Sequence, residues 1–125
     1  GLNGGIVGSV DFSNNPVLAT INLYGNPGIT SVNVSNNSLL YYFNVMNCNL
    51  TSLDLSSNPA LITLAASGNQ LTFLDLRSGG NTLVNYINVT NSNGLGSVYV
   101  DSVAYANTNW IAPSFTFPNT VTFTL

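Results

Sequence analysis

Residues 50–70 read LTSLDLSSNPALITLAASGNQ, and they state one phrase twice in succession. The phrase is an apolar residue, two others, an apolar residue, one other, an apolar residue, two others and Asn. Leu50, Leu53, Leu55 and Asn58 make the first copy; Leu61, Leu64, Ala66 and Asn69 make the second. The second and third apolar positions alternate, which is strand periodicity, and a unit this short has no room for a helix.

Moving outward in both directions, the phrase covers most of the chain. Towards the N-terminus the units begin at Val7, Leu18, Ile29 and Leu40; towards the C-terminus they begin at Leu71, Val84 and Leu95. Starts fall 10 or 11 residues apart, except where Gly79 and Gly80 delay the Asn to position 81. Two units make one coil of about 21 residues. Each coil then gives one short strand to each of two faces, and stacked coils bury the apolar sides of two parallel sheets against each other. The expected fold is an all-β-rich solenoid with two short parallel β-sheets and little or no helix. One solenoid domain is expected over residues 1–125, with 1–6 as a lead-in, 7–102 as repeats and 103–125 as a C-terminal cap and terminal strands.

Asn15, Asn26, Asn37, Asn58, Asn69 and Asn81 fall where each strand must bend into the next, and Cys48 takes that slot in the fourth unit. An Asn amide satisfies the backbone groups that a bend strands inside a stack, so these residues are expected to form a ladder. Cys48 reads as a buried member of it, since no His or Lys is present to activate a thiol.

The LxxLxLxxN phrase with Asn or Cys in its last slot resembles the conserved segment of leucine-rich repeat proteins. The nested form, with both halves of the coil carrying the phrase, is similar to the short bacterial class of secreted and surface proteins. VYVDSVAYANTNW, residues 98–110, resembles the closing segment of many of them. The resemblance spans about residues 6–110 and implies an extracellular or cell-surface location, with the export signal outside this chain. It implies a scaffold for interaction and leaves the partner open.

Composition narrows that choice. Apolar residues are 45% of the chain but charged residues only 4%, with a net charge of -3. Without a basic footprint, binding to a nucleic-acid backbone is not expected. No apolar run is long enough for membrane insertion. No catalytic residue, metal ligand set or cofactor site is expected: Asp54 and Asp75, one coil apart, find no further acidic partner, and Arg77 stands beside Asp75. A neutral amide-and-hydroxyl surface suits a protein or glycan surface, or copies of the same chain.

Two non-enzymatic functions therefore compete. In the first, an adhesion or recognition module uses aromatics on one face, with Tyr24, Tyr42, Met46 and Tyr86 as the candidate site and Tyr41 nearby. The opposite face, bearing Asp11, Asn33, Asp54, Asp75 and Tyr99 among serines, reads as small, polar and weakly acidic. In the second, the chain is a self-assembling subunit of an extracellular fibre or appendage, joined through Leu2 and Ile6 at one end and Phe123 and Leu125 at the other. Ice binding is a weaker third reading, because Tyr42, Ala65 and Tyr86 interrupt the Thr and Asn rows.

Overall fold

The computed structural model describes residues 5–118 and 121–125, and Leu2 lies outside them. The fold is a mostly parallel β-solenoid of about five coils, with ~22 residues per turn and, among the described residues, a single α-helix. The strands are β1 (Gly8–Asp11), β2 (Thr20–Asn22), β3 (Ile29–Asn33), β4 (Tyr42–Asn44), β5 (Ser52–Asp54), β6 (Thr63–Ala65), β7 (Phe73–Asp75), β8 (Tyr86–Asn88), β9 (Ser97–Tyr99), β10 (Phe115–Thr116) and β11 (Thr122–Thr124). The helix α1 spans Val103–Asn109. Even-numbered strands form one sheet in the order β10-β8-β6-β4-β2. Odd-numbered strands form the other face as β11-β9-β7-β5 and a separate pair, β1-β3.

That split is a departure from two continuous sheets. No ladder joins β3 to β5. The inward residues on this side are Leu74 and Leu53, both buried, and then the smaller Val32 and Val10, which stay half-buried. An open groove of about 460 Å³ follows the break, floored by Val10, Val32 and Val34.

The repeated Asn sits between two turns. Asn58 N–H donates to Leu55 O at 3.1 Å, and Leu61 N–H donates to Asn58 O at 3.3 Å. The same pair of bonds recurs at Asn15 and Asn37. The side chains form two ladders, one along each edge of the solenoid. On one edge Asn58 Nδ2 donates to Val34 O and Asn37 O, and Asn37 Nδ2 donates to Phe12 O and Asn15 O. On the other, Asn69 Nδ2 donates to Val45 O and Ala66 O, Asn26 Nδ2 donates to Leu23 O, and Cys48 Sγ lies 3.3 Å from Leu23 O as a weak donor. Burial raises the Cys48 thiol above its ordinary pKa. Asn15, in the outermost coil, is exposed.

A second repeated slot closes the strands. Asp or Asn between the second and third apolar positions accepts the N–H two residues on. This holds for Asp11, Asn22, Asn33, Asn44, Asp54, Asp75 and Asn88, at 2.8 to 3.2 Å. These residues lie on the outer faces, although Asp75 is buried in its pair with Arg77, and each also fixes the turn after its own strand.

The Gly79–Gly80 insertion is built in rather than looped out. A Cβ on Gly80 would overlap the Pro59 carbonyl of the preceding coil, so the close approach needs glycine. Asp101 anchors the insertion by accepting from Gly79 N and Asn81 N at 3.0 and 3.1 Å, and its own N–H donates to Asn81 Oδ1 at 2.8 Å.

Beyond residue 102 the phrase stops but the sheets continue. Ser102 caps α1 by accepting from Tyr105 N. The chain then adds β10 to β8 and β11 to β9, with Phe115 opposite Ile87 and Phe123 opposite Val98. Buried Trp110 is packed by Phe115, Phe117 and Phe123 at centroid distances of 5.8 to 6.4 Å. The terminal strands are therefore another pair of half-coils, separated from the repeats by an inserted helix.

Candidate functional site

Strand register sets the geometry of the aromatic face. Thr20 pairs with Tyr42, Tyr42 with Thr63, and Thr63 with Tyr86, giving one straight row across β2, β4, β6 and β8. The parallel row is Asn22, Asn44, Ala65 and Asn88, continued by Thr116 on β10. Tyr24 and Met46 follow their strands in the adjoining turns, and Gly25 N–H donates to Met46 O. Tyr24 is 58% exposed, Tyr41 45% and Tyr86 37%, while Tyr42 and Met46 are half-buried. The structure thus brings Tyr42 and Tyr86 into one row, with Thr63 between them, and leaves Tyr24 towards one end.

The amides on this face have a fixed polarity. Asn22, Asn44 and Asn88 each use Oδ1 to accept the N–H of Tyr24, Met46 and Thr90. The Asn88 oxygen also accepts from Thr90 Oγ1 at 2.8 Å. With the oxygen turned towards the strand end, the Nδ2 group is left as a donor on the outer face.

Charge is segregated. Asp11, Asp54, Asp75, Arg77 and Asp101 all lie on or just after odd-numbered strands. The half-coils that carry the even-numbered strands contain no Asp, Glu, Lys or Arg. This separation was present in the sequence, but it becomes meaningful only once each unit is assigned to a face.

The odd-numbered face is not uniformly small and polar. Phe73 occupies a slot that holds Ser in β1, β3, β5 and β9, and it is 38% exposed. Its ring lies 5.6 Å from that of Tyr99, and the Arg77 guanidinium carbon lies 4.6 Å from the Tyr99 centroid. Arg77 also grips Asp75 with two bonds, Nε to Oδ1 at 3.0 Å and a terminal nitrogen to Oδ2 at 2.8 Å. The sequence signal for this cluster was the break in the Ser row at Phe73, which the Asp-and-Ser pattern around it masked.

Asp54 and Asp75 stand opposite each other in the ladder, but both are engaged, Asp54 by Ser56 N and Oγ and Asp75 by Arg77. No group of three or more His, Cys, Asp or Glu able to hold a metal ion occurs among the described residues. Hydrogen bonds from the Arg77 side chain hold Asp75 below the usual carboxylate pKa. Because its pKa is lower in the folded state, ionised Asp75 stabilises the fold at neutral pH. That contribution starts to fall below about pH 4 and is gone once the pH passes the folded value. Asp75→Asn is therefore expected to flatten the acid limb of a plot of urea midpoint against pH. An acid limb as steep as that of the parent chain would sink this assignment.

At the ends, Ile6 is exposed and its N–H donates to Asn26 Oδ1 at 3.2 Å. Phe123 is turned inward, edge-on to Trp110 and Phe117, and Leu125 is 69% exposed. No helix among the described residues is long and apolar enough to cross a membrane. The chain matches no protein-family model, no curated protein and no solved structure.

Proposed function

We propose that the chain is a non-enzymatic interaction module of the leucine-rich repeat type. It acts at an extracellular or cell-surface site and holds a protein or glycan partner on the face of β2, β4, β6 and β8. The observation that carries this reading is the row Thr20, Tyr42, Thr63, Tyr86, which places aromatic rings at fixed intervals on a rigid, uncharged sheet. Tyrosine offers a large contact area with little side-chain freedom to lose, and a phenol that stays satisfied by water or partner. The low charge of the whole chain, -3 over 125 residues, argues in the same direction, because it supplies little steering towards ionic partners.

The test is the double variant Tyr42→Ala with Tyr86→Ala, assayed on glycan arrays and whole cells. Binding is expected to fall by about tenfold or more, with a melting temperature within about 5 °C of the parent. Binding unchanged in the double variant would remove this face from consideration.

A further inference from the structure

We propose that the partner of this face is an extended, uncharged β-1,4-linked glycan lying along the solenoid axis, across the strands, with Tyr42 and Tyr86 stacked on alternate sugars. The proposal rests on the reading of the even-numbered face as the binding surface, and it adds the class of ligand and its direction.

Spacing is the first argument. Tyr42 and Tyr86 both pair with Thr63, from opposite sides, so they are two strand spacings apart. That is about 9.6 Å at the usual inter-strand distance, close to the axial repeat of a disaccharide in an extended β-1,4-linked chain. Successive sugars in such a chain turn over, so every second ring presents the same face. The C–H groups of a pyranose face carry slight positive charge, and they meet the negative face of a phenol ring. Thr63, at the midpoint, is small enough to let the intervening sugar pass and polar enough to bond it.

The second argument is the row of donors beside the tyrosines. Asn22, Asn44 and Asn88 are locked through Oδ1 by the turn that ends each strand. Their Nδ2 groups therefore run parallel to the aromatic row at the strand pitch, in the position needed for hydroxyl oxygens of a glycan following the axis. Ala65, buried between Asn44 and Asn88, interrupts that row beside Thr63.

Charge decides between glycan classes. Every Asp and the single Arg lie in the opposite half-coils. A polyanionic glycan would give up hydration and counterions to this face and meet no cation in return. An uncharged chain loses nothing comparable. An α-1,4-linked chain is also uncharged, but it coils and cannot keep alternate rings on one straight row.

Calorimetry with cellohexaose and chitohexaose tests this, with maltohexaose and a heparin-type polyanion as comparisons. At least one β-1,4-linked hexasaccharide is expected to bind, and the other two ligands are not. The matching disaccharide should bind at least tenfold more weakly than the trisaccharide, the shortest ligand to reach both rings. Tyr42→Ala and Tyr86→Ala should each weaken binding about tenfold, Tyr42→Phe should retain it, and Phe73→Ala on the opposite face should leave it unchanged. Retention of binding in both alanine variants would overturn the proposal, as would equal affinity for maltohexaose. Failure of both hexasaccharides to bind, while attachment to cells still depends on Tyr42 and Tyr86, would overturn the glycan but leave the interaction module standing. If neither ligand nor cells bind, both readings fall.

Discussion

Asn69→Ala is expected to destabilise the solenoid by about 3 kcal/mol or more, well beyond the cost of the same change at Asn58. Both side chains are buried and both donate to backbone carbonyls, Asn58 to two and Asn69 to two at 2.8 and 2.9 Å and to Ser67 O at 3.5 Å. The difference lies in what those carbonyls have left. Val34 O and Asn37 O, the acceptors of Asn58, keep turn bonds from Asn37 N and Leu40 N. Of the acceptors of Asn69, Ser67 O keeps a bond from Asn47 N, but Val45 O and Ala66 O have no other bond among the described residues, and Leu50 N depends on Asn69 Oδ1 at 3.0 Å. Truncation of Asn69 therefore strands three buried backbone groups, each at about 1–3 kcal/mol before relaxation.

Asn58 starts with an unpartnered Oδ1, so its removal also takes away one unsatisfied atom. Asn58→Ala is expected to cost about 1 kcal/mol, and Asn15→Ala, at the exposed end of the ladder, less than about 0.5 kcal/mol. Urea unfolding midpoints should rank Asn69 far ahead of Asn58 and Asn58 ahead of Asn15. Equal costs at Asn69 and Asn58 would mean that the two ladders do not differ as the geometry requires.

The ladder shows how much of this protein is written locally. Asn58 and Asn69 recur at a fixed distance from three apolar residues, so their position at the bends follows from the repeat alone. Their unequal dependence does not, because it turns on which backbone groups the neighbouring coil satisfies. The same limit applies at β3 and β5, whose phrases are intact although no ladder joins them. It applies in reverse at β10 and β11, where the phrase is gone but Phe115 and Phe123 still pair in register with the coil before. A motif reports the bend it builds; a sheet needs only strands of the right length and side. Alternation places Tyr42 and Tyr86 on one face, and the 21- and 23-residue offsets on either side of Thr63 put them in one row. Phe73 is not legible in this way, because a residue in a serine slot carries no local mark of the Tyr99 ring and the Arg77 guanidinium that meet there.

Phe43→Ala should show how far a defect travels along the stack. Phe43 is fully buried at the centre of β4, paired with Ile21 on one side and Leu64 on the other. Truncating a buried Phe costs about 3–5 kcal/mol, a large part of the roughly 6–19 kcal/mol expected for a chain of this length. In a solenoid each coil is held by its neighbours, so a cavity here weakens two interfaces at once. Trp110→Ala removes a comparable volume, but from a cluster at the end of the stack, against Phe115, Phe117 and Phe123. Amide exchange should separate the two outcomes. Trp110→Ala is expected to speed exchange in β9, β10 and β11 and leave β4 and β6 protected. Phe43→Ala is expected to lower protection from β2 through β8 and to shift the whole unfolding transition. Protection lost in β2 and β4 alone, with β6 and β8 unchanged, would show coils that unfold independently. The tyrosine row would then lose its rigidity, because Tyr42 and Tyr86 hold their spacing only while the coils between them move as one body.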